Sequence, residues 1–222
     1  MCLLIVQLIG RGMPEQIPTR ERLIVAAMGL VRAQGYQATS MAQILKAAQA
    51  NSGSLYYFFK TKKDLLLAVL DRYTELLWPT VIQPAFDRVS DPIERVFAIL
   101  DEYRQMLLST DFKLGCPIGD LALELGDSDP AAREKIALNF RNWCEAIERC
   151  LEDGAGSLPN GIDRAGMAQF ILSVMEGGVM QARAHRSIEP FDACVAHMRD
   201  YFNRLGAEAR GRPSRLDAAP GG

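Results

Sequence analysis

The segment from Ser40 to Leu66 constrains the fold more than any other part of the chain. Ser40 is followed three residues later by Gln43, a capping-box pattern in which both side chains satisfy free N–H groups at a helix start. Thr61 and Asp64 repeat the pattern and predict the start of another helix. An Asn-Ser-Gly run between the two boxes favours a turn. The segment therefore predicts short helices separated by a tight turn, with a longer helix following.

The helix that begins at about Met41 has apolar residues at the i, i+3, i+4 and i+7 spacing of one buried stripe. A second short helix from Ser52 places Leu55 and Phe59 toward the core. A preceding helix, predicted from about Thr19 to Gln34 with Thr19 as its cap, supplies a packing partner. Its polar residues are expected on the outside, and they are Arg20, Glu21 and Arg32. The sequence thus predicts a three-helix bundle followed by a helix from Lys62 to about Leu77, which ends before Pro79.

The run from Ala48 to Lys62 reads Ala-Gln-Ala-Asn-Ser-Gly-Ser-Leu-Tyr-Tyr-Phe-Phe-Lys-Thr-Lys. It resembles the helix-turn-helix of TetR-family transcriptional regulators. Gln49 stands where the family commonly has a glycine, which predicts a turn that tolerates a side chain. Phe58 replaces a histidine, which removes a polar group that often faces phosphate. The resemblance implies a homodimer that binds a palindromic operator in double-stranded DNA and is released by a small molecule whose identity the sequence does not reveal.

Charge is distributed unevenly along the 222 residues. Residues 1–64 contain eight Lys or Arg and three Asp or Glu, a net charge of +5, whereas the whole chain carries −2, so the remainder carries −7. A basic module joined to an acidic body is the arrangement that a DNA-binding regulator needs. Chance clustering of charge is the simpler alternative.

The remaining pattern predicts an all-α body. Asp-Pro pairs, which are a cap followed by proline at the first helical position, begin two of its helices. The predicted helices run from Asp91-Pro92 to about Leu108, through Leu125, from Asp129-Pro130 to about Asp153, from Asp163 to about His185, and from Glu189-Pro190 to about Leu205. The expected organisation is a disordered leader at 1–17, a DNA-binding domain at 18–64, an effector-binding and dimerisation domain at 65–205, and a disordered tail at 206–222. The leader could also reflect a translation start at Met13.

Hydroxyl and cationic side chains near the predicted helix starts are candidates for DNA contacts, because most protein contacts to DNA are made to phosphates. The candidates for phosphate are Thr39, Ser40, Tyr57 and Lys62. The candidates for base or sugar edges are Ser52, Ser54, Lys46 and Tyr56, with Gly53 as part of the family's motif. Packing of the two tyrosines in the core is the alternative for each of them.

Aromatic and sulfur-containing residues of the body are candidates to line an effector cavity. They are Phe97, Tyr103, Met106, Phe112, Cys116, Phe140, Trp143, Phe170 and Met175. Two adjacent glycines inside a helical pattern each cost about 1 kcal/mol relative to alanine, which close helix packing can offset. This segment resembles the penultimate helix of TetR-family bodies, which with the long helix before it implies a four-helix dimer interface. The implied interface residues are Trp143, Ile147, Phe170, Val174, Gly177 and Gly178, and a simple kink at the glycines is the alternative.

Five cysteines without a metal-type pair predict reduced thiols in a cytoplasmic protein. We expect no cofactor, no metal and no membrane span, and the two histidines lie too far apart to predict an enzyme. Cys116 lies between Gly115 and Pro117 at a predicted helix start, which can lower the pKa of a thiol, and a buried, inert cysteine is the alternative. Two hypotheses follow: a ligand-released repressor, and a regulator or stress-binding protein that responds to electrophiles or oxidants through Cys116. Activation of transcription instead of repression stays open.

Overall fold

The computed structural model describes residues 17–211, and within this range the chain forms helices and no strands. The helices are α1 Thr19–Gln34, α2 Met41–Ala48, α3 Ser52–Phe58, α4 Lys62–Leu77, α5 Gln83–Arg88, α6 Pro92–Ser109, α7 Pro117–Leu125, α8 Pro130–Asp153, α9 Arg164–His185 and α10 Glu189–Gly211. A π-helical turn, Trp78–Ile82, joins α4 to α5, and a single 3₁₀ turn, Ala155–Ser157, follows α8. None of the described helices is long and apolar enough to cross a membrane.

Both capping boxes form, which explains where α2 and α4 begin. The Ser40 N–H donates to Gln43 Oε1 at 2.7 Å, and the Gln43 N–H donates to Ser40 Oγ at 3.2 Å. Thr61 and Asp64 exchange the equivalent bonds at 2.9 and 3.1 Å. Gln49 ends α2 in the left-handed region with φ 49°, so the turn does accept a side chain where the family commonly has glycine. The backbone cost of this conformation outside glycine is modest.

The apolar residues form two clusters that meet along α7 and α8. One cluster is built from α1 to α4 together with Ile118, Leu121 and Leu125 of α7 and the first turns of α8. The other fills the body between α5, α6, α8, α9 and α10. Because α7 packs into the core of the N-terminal helices, a change at α7 reaches them directly.

Two helix boundaries differ from the predictions. The predicted end of α4 at Leu77 is confirmed, but a π-helical turn follows it directly, with an i to i+5 bond from the N–H of Gln83 to the carbonyl of Trp78, and leads past Pro79 into α5. Thr19 is not the cap of α1, since Pro18 occupies that position. The last helix continues to Gly211 because Phe202 and Gly206 extend its buried stripe.

The predicted disordered tail is therefore wrong for residues 206–211, which are helical. The remainder of that prediction, residues 212–222, lies outside the described residues. So does the predicted leader, apart from its last residue, Ile17.

Candidate functional site

The short helix α3 presents an aromatic face to solvent. Its Leu55 and the adjoining Phe59 are buried, and they anchor the helix on the N-terminal core. Tyr57 is 75% exposed and Tyr56 is 51% exposed, so neither tyrosine packs in the core of the chain. At the start of the helix, Asn51 Oδ1 accepts the N–H of Ser54 at 2.8 Å. One side of this two-turn helix is thus packed against the N-terminal core, and its other side is exposed to solvent.

Other predicted DNA contacts surround this face. Ser40, Lys46 and Ser52 are exposed, and Ser54 is partly exposed. Lys60 was not among the predicted DNA contacts. It is also exposed and lies just after Phe59, the residue that caps the end of α3. Its position next to the Tyr-Tyr-Phe-Phe run was the signal available in the sequence.

Thr39 is placed differently from the prediction. It is 1% exposed, and its hydroxyl donates to the carbonyl of Gly35 at 2.7 Å. The side chain of Thr39 therefore stabilises the turn between α1 and α2 and is not available to DNA, which contradicts its predicted contact with phosphate.

The ammonium of Lys62 already makes two contacts within the chain. Its Nζ donates to the carbonyl of Gln37 at 3.3 Å and lies 4.2 Å from the centre of the Tyr36 ring, a cation–π contact. Partial burial lowers the pKa of this ammonium, and the charge of Glu124 opposes the shift. An ammonium has three N–H donors, so Lys62 keeps donors for a further acceptor.

Glu124, at the end of α7, connects the body to the turn that precedes α2. Its carboxylate accepts the backbone N–H of Tyr36 at 2.8 Å and that of Gln37 at 2.5 Å. Lys63 of α4 pairs with Asp129 at 2.9 Å across the same boundary. The Glu124 carboxylate of the body thus fixes the backbone of the turn that leads into the helix-turn-helix.

A cavity of about 140 Å³ lies between the N-terminal helices and the body. Its wall is mostly apolar and includes Leu77, Val81, Met106, Ile118, Phe140 and Leu172. Polar groups reach it from four helices, and these are Arg32 of α1, Tyr103 of α6, Asn139 of α8 and Glu176 of α9. The cavity can therefore hold a small molecule with an apolar body and a polar group.

Arg32 was expected on the outside of α1 and is instead 8% exposed. Its Nη2 donates to Met106 Sδ at 2.8 Å and to the carbonyl of Gly115 at 3.3 Å. The helical spacing places Arg32 directly after the buried Val31, and a long apolar stem allows arginine to cross a buried layer. No local pattern distinguishes such an arginine from an exposed one.

The exposed stripe of α9 continues onto α10. Phe170 and Met180 of α9 are 47% and 59% exposed, and the Phe170 ring meets that of Tyr201 of α10 at 6.4 Å between centroids. Gly177 lies on this stripe, and a Cβ there would meet no atom within 4 Å. A Cβ on Gly178 would lie 3.0 Å from the Phe191 ring, so this glycine permits close packing of α10 on α9.

Family models match both parts of the chain. Residues 23–69 match "Bacterial regulatory proteins, tetR family", and residues 92–198 match "Tetracyclin repressor-like, C-terminal domain". The chain belongs to the TetR family of transcriptional regulators. It is therefore a helix-turn-helix, DNA-binding regulator, and the family is not one of enzymes.

TetR-family relatives align along most of the chain. An uncharacterized HTH-type transcriptional regulator of Mycobacterium tuberculosis is 32% identical over 188 residues, covering 82% of this chain and 92% of the relative. The HTH-type transcriptional repressor DhaR of a Mycobacterium species is 24% identical over 177 residues, covering 79% and 87%. The crystal structure of reduced NemR from Escherichia coli superimposes with a TM-score of 0.73 at 24% identity, covering 82% of this chain and 96% of that one. This last similarity supports the fold.

Within the TetR-family body, the predicted cavity residues divide into three groups. Five of them line the 140 Å³ cavity, and they are Tyr103, Met106, Cys116, Phe140 and Trp143. Phe112 lines an adjacent open groove beside α7 and α9.

The other three predicted residues do not line the 140 Å³ cavity, although Phe97 lines a separate groove between α6 and α10. Phe97 packs against the Phe202 ring, Met175 is buried in the body core, and Phe170 lies on the exposed stripe of α9. Residue type alone did not separate these aromatic and sulfur-containing side chains from the ones around the cavity.

The predicted interface residues of α8 are also misplaced. Trp143 and Ile147 are 3% and 0% exposed, since they fill the interior of the chain itself. Val174 is partly buried against the body core, and Gly178 contacts α10. The exposed apolar face of the TetR-family body is thus formed by α9 with α10, the helix after it, and not by α9 with α8.

The environment of the Cys116 thiol matches the alternative of a buried, inert cysteine. Burial, followed by the charge of Glu176 and a hydrogen bond with it, raises the pKa of Cys116 well above its ordinary value. The N–H groups of Ile118 and Gly119 at the start of α7 lower the pKa, as predicted for a helix N-terminus, but their effect is smaller. The thiol is therefore protonated at neutral pH and poorly nucleophilic.

Proposed function

We propose that this TetR-family protein is a repressor that binds a palindromic operator as a homodimer and leaves it when a small molecule occupies the body cavity. The observation that supports the proposal most strongly is the exposed aromatic and hydroxyl face of α3. Two turns of helix suit a major groove, where three or four side chains reach base edges and the others contact phosphate. Ligand-responsive repression is typical of the family.

The proposed DNA surface combines the predicted residues with one addition. Phosphate contacts are assigned to Ser40, Tyr57 and Lys62, and Lys60 is added because it is exposed at the end of α3. Base or sugar contacts are assigned to Ser52, Ser54, Lys46 and Tyr56, with Gly53 allowing close approach of the backbone. Serine hydroxyls discriminate weakly between bases, so we expect the shape of the operator to contribute to specificity.

The proposed homodimer forms through the exposed stripe of α9 and α10. Phe170, Met180 and Tyr201 are large side chains left open to solvent on neighbouring helices. Gly177 allows a second helix to approach closely because it has no side chain. Dimerisation would place two α3 helices on successive major grooves, which requires a spacing of roughly 34 Å.

Release by a ligand follows from how the body holds the DNA-binding helices. The cavity is lined by Arg32 of α1 and by the first turn of α7, and the last turn of α7 carries Glu124. A ligand that displaces α7 or α1 would therefore change the position of the turn at Tyr36 and Gln37. Small rotations of this kind are enough to prevent both α3 helices from reaching their grooves.

Titration of a labelled DNA fragment from the region upstream of the gene tests the DNA surface. We expect salt-dependent binding, because phosphate contacts release counterions. Lys60→Ala and Lys46→Ala should both weaken binding, and Lys60→Ala, which removes a phosphate contact, should also lower the salt slope by about 1. Lys113→Ala, which removes an exposed lysine of the body, is the matched control. Equal affinities for the three variants would refute the assignment.

A further inference from the structure

Arg32 is a buried cation without a counter-ion among the described residues. No described carboxylate lies within 4.0 Å of its guanidinium, and its Nε and Nη1 are buried without a hydrogen-bond partner. Its other nitrogen contacts a thioether and a backbone carbonyl, which are neutral acceptors. Arginine stays charged in proteins, so burial in this state is costly unless an anion is supplied.

The other polar groups of the cavity favour the same kind of ligand. Burial raises the pKa of Tyr103 well above its ordinary value, so its hydroxyl remains a donor. The indole N–H of Trp143 lies in the same wall, with the two rings 6.5 Å apart. Glu176 lines the same cavity, and burial raises its pKa, which favours the neutral form. Glu102, at the cavity edge, is paired with Arg88 at 2.7 Å.

The size of the cavity limits the ligand. A cavity of about 140 Å³ is close to the volume of about 150 Å³ that accommodates benzene in an engineered protein core. The apolar wall suits one ring or a short hydrocarbon chain. Only a compact charged group fits beside it, and a carboxylate accepts a charge-assisted hydrogen bond from a guanidinium N–H.

We propose that the cavity binds a small monocarboxylate whose carboxylate accepts a charge-assisted hydrogen bond from Arg32, at Nε or Nη1, and whose apolar body fills the space between α4, α6 and α8. This inference rests on the proposed function as a ligand-released repressor. Arg32 belongs to α1, whereas nearly all of the remaining wall belongs to the body. The ligand would thus contact the DNA-binding helices directly, through the same arginine that holds the carbonyl of Gly115 ahead of α7.

Intrinsic fluorescence of the full chain provides the test. The chain has two tryptophans, Trp143 in the cavity wall and Trp78 near the surface, so Trp78→Phe leaves one reporter inside the cavity. Benzoate is the probe, and benzamide is its neutral match in shape. We expect benzoate to change the Trp143 emission in a saturable way and to bind at least about tenfold more tightly than benzamide, since the charge-assisted hydrogen bond is lost in the amide.

Arg32→Met keeps the apolar stem of the side chain and removes its guanidinium. The variant should bind benzoate at least about tenfold more weakly, with benzamide binding little changed. Thermal unfolding shows whether the variant is folded, and the comparison of benzoate with benzamide on the unsubstituted Arg32 chain does not depend on it. Equal binding of the two probes, no saturable binding of either, or full benzoate affinity in Arg32→Met would each overturn the proposal.

Operator binding without any probe separates this inference from the proposed function. A chain that binds its operator but shows no preference for the carboxylate contradicts the ligand class alone. A chain that binds benzoate through Arg32 but has no affinity for upstream DNA contradicts the proposed function and leaves the carboxylate site in place.

Discussion

Replacement of Glu124 by alanine should loosen the turn before α2 and lower stability by a predictable amount. The carboxylate accepts two backbone N–H groups, from Tyr36 and Gln37. Hydrogen bonds to a charged acceptor contribute about 1.5–3 kcal/mol each when buried. Gln37 is exposed and Tyr36 is partly exposed, so water replaces part of the loss. We therefore expect about 1 kcal/mol for each bond, or about 2 kcal/mol in the free energy of unfolding.

Two assays measure this effect. For a chain of this length, about 2 kcal/mol corresponds to a fall in Tm of about 4–8 °C. Hydrogen exchange locates the change, because the amides of Tyr36 and Gln37 should exchange about 30-fold faster once the acceptor is lost. Glu134→Ala, which removes an exposed acid of α8, is the control and should change neither quantity. Unchanged exchange at both amides in the Glu124 variant would refute the proposed connection between α7 and the turn.

Three further predictions concern the thiol, the paired glycines and the α9 face. Because the pKa of Cys116 is raised in the folded chain, the folded state holds the thiol proton above the unfolded pKa of about 8.5, so stability should fall as pH rises beyond that value. Cys116→Ala should flatten this fall in chemical denaturation, and a parallel pH dependence would contradict it. Gly178→Ala should lower the free energy of unfolding by about 1–3 kcal/mol, because the added methyl group overpacks against Phe191. Gly177→Ala should not destabilise the monomer, since its methyl group meets no other atom. Thermal unfolding that ranks the two variants the other way would refute this packing. Phe170→Glu should dissociate the dimer in sedimentation, with exposed Leu108→Glu as control, and an unchanged mass would argue against this face.

Local signals in the sequence predicted much of the secondary structure, because those signals are themselves physical interactions. The Asp129-Pro130 pair placed the start of α8, where Asp129 Oδ1 accepts the N–H groups of Ala131 and Ala132. The capping boxes at Ser40 and Thr61 did the same for α2 and α4. The outward orientation of Tyr57 followed from the helical spacing of Leu55 and Phe59.

What the sequence did not reveal depends on contacts between distant segments. Arg32 carries the same charge whether it is exposed or buried, and its burial depends on Met106 and Gly115, more than seventy residues away. The exposed face pairs α9 with α10 because Trp143 of α8 is buried in the interior of the chain. The end of α4 before Pro79 was predicted, but the π-helical turn that carries the chain on into α5 had no local signal.

The choice between a reactive and a buried, inert Cys116 also depended on distant contacts. The sequence shows a glycine, a cysteine and a proline at a helix start, which predicts a lowered thiol pKa. The structure adds Glu176 from α9 and removes the thiol from water, and both raise the pKa. The sign of the shift therefore depended on a helix sixty residues further along the chain.

The mass of the complex formed with a palindromic fragment from the gene's own upstream region tests the central claim most directly. Native mass spectrometry of the full chain should show two protein chains on one duplex. Scrambling one half-site should abolish that species, because both α3 helices must reach their grooves. A single chain on the duplex, or the same species on intact and scrambled DNA, would contradict a homodimer that reads a palindrome through α3.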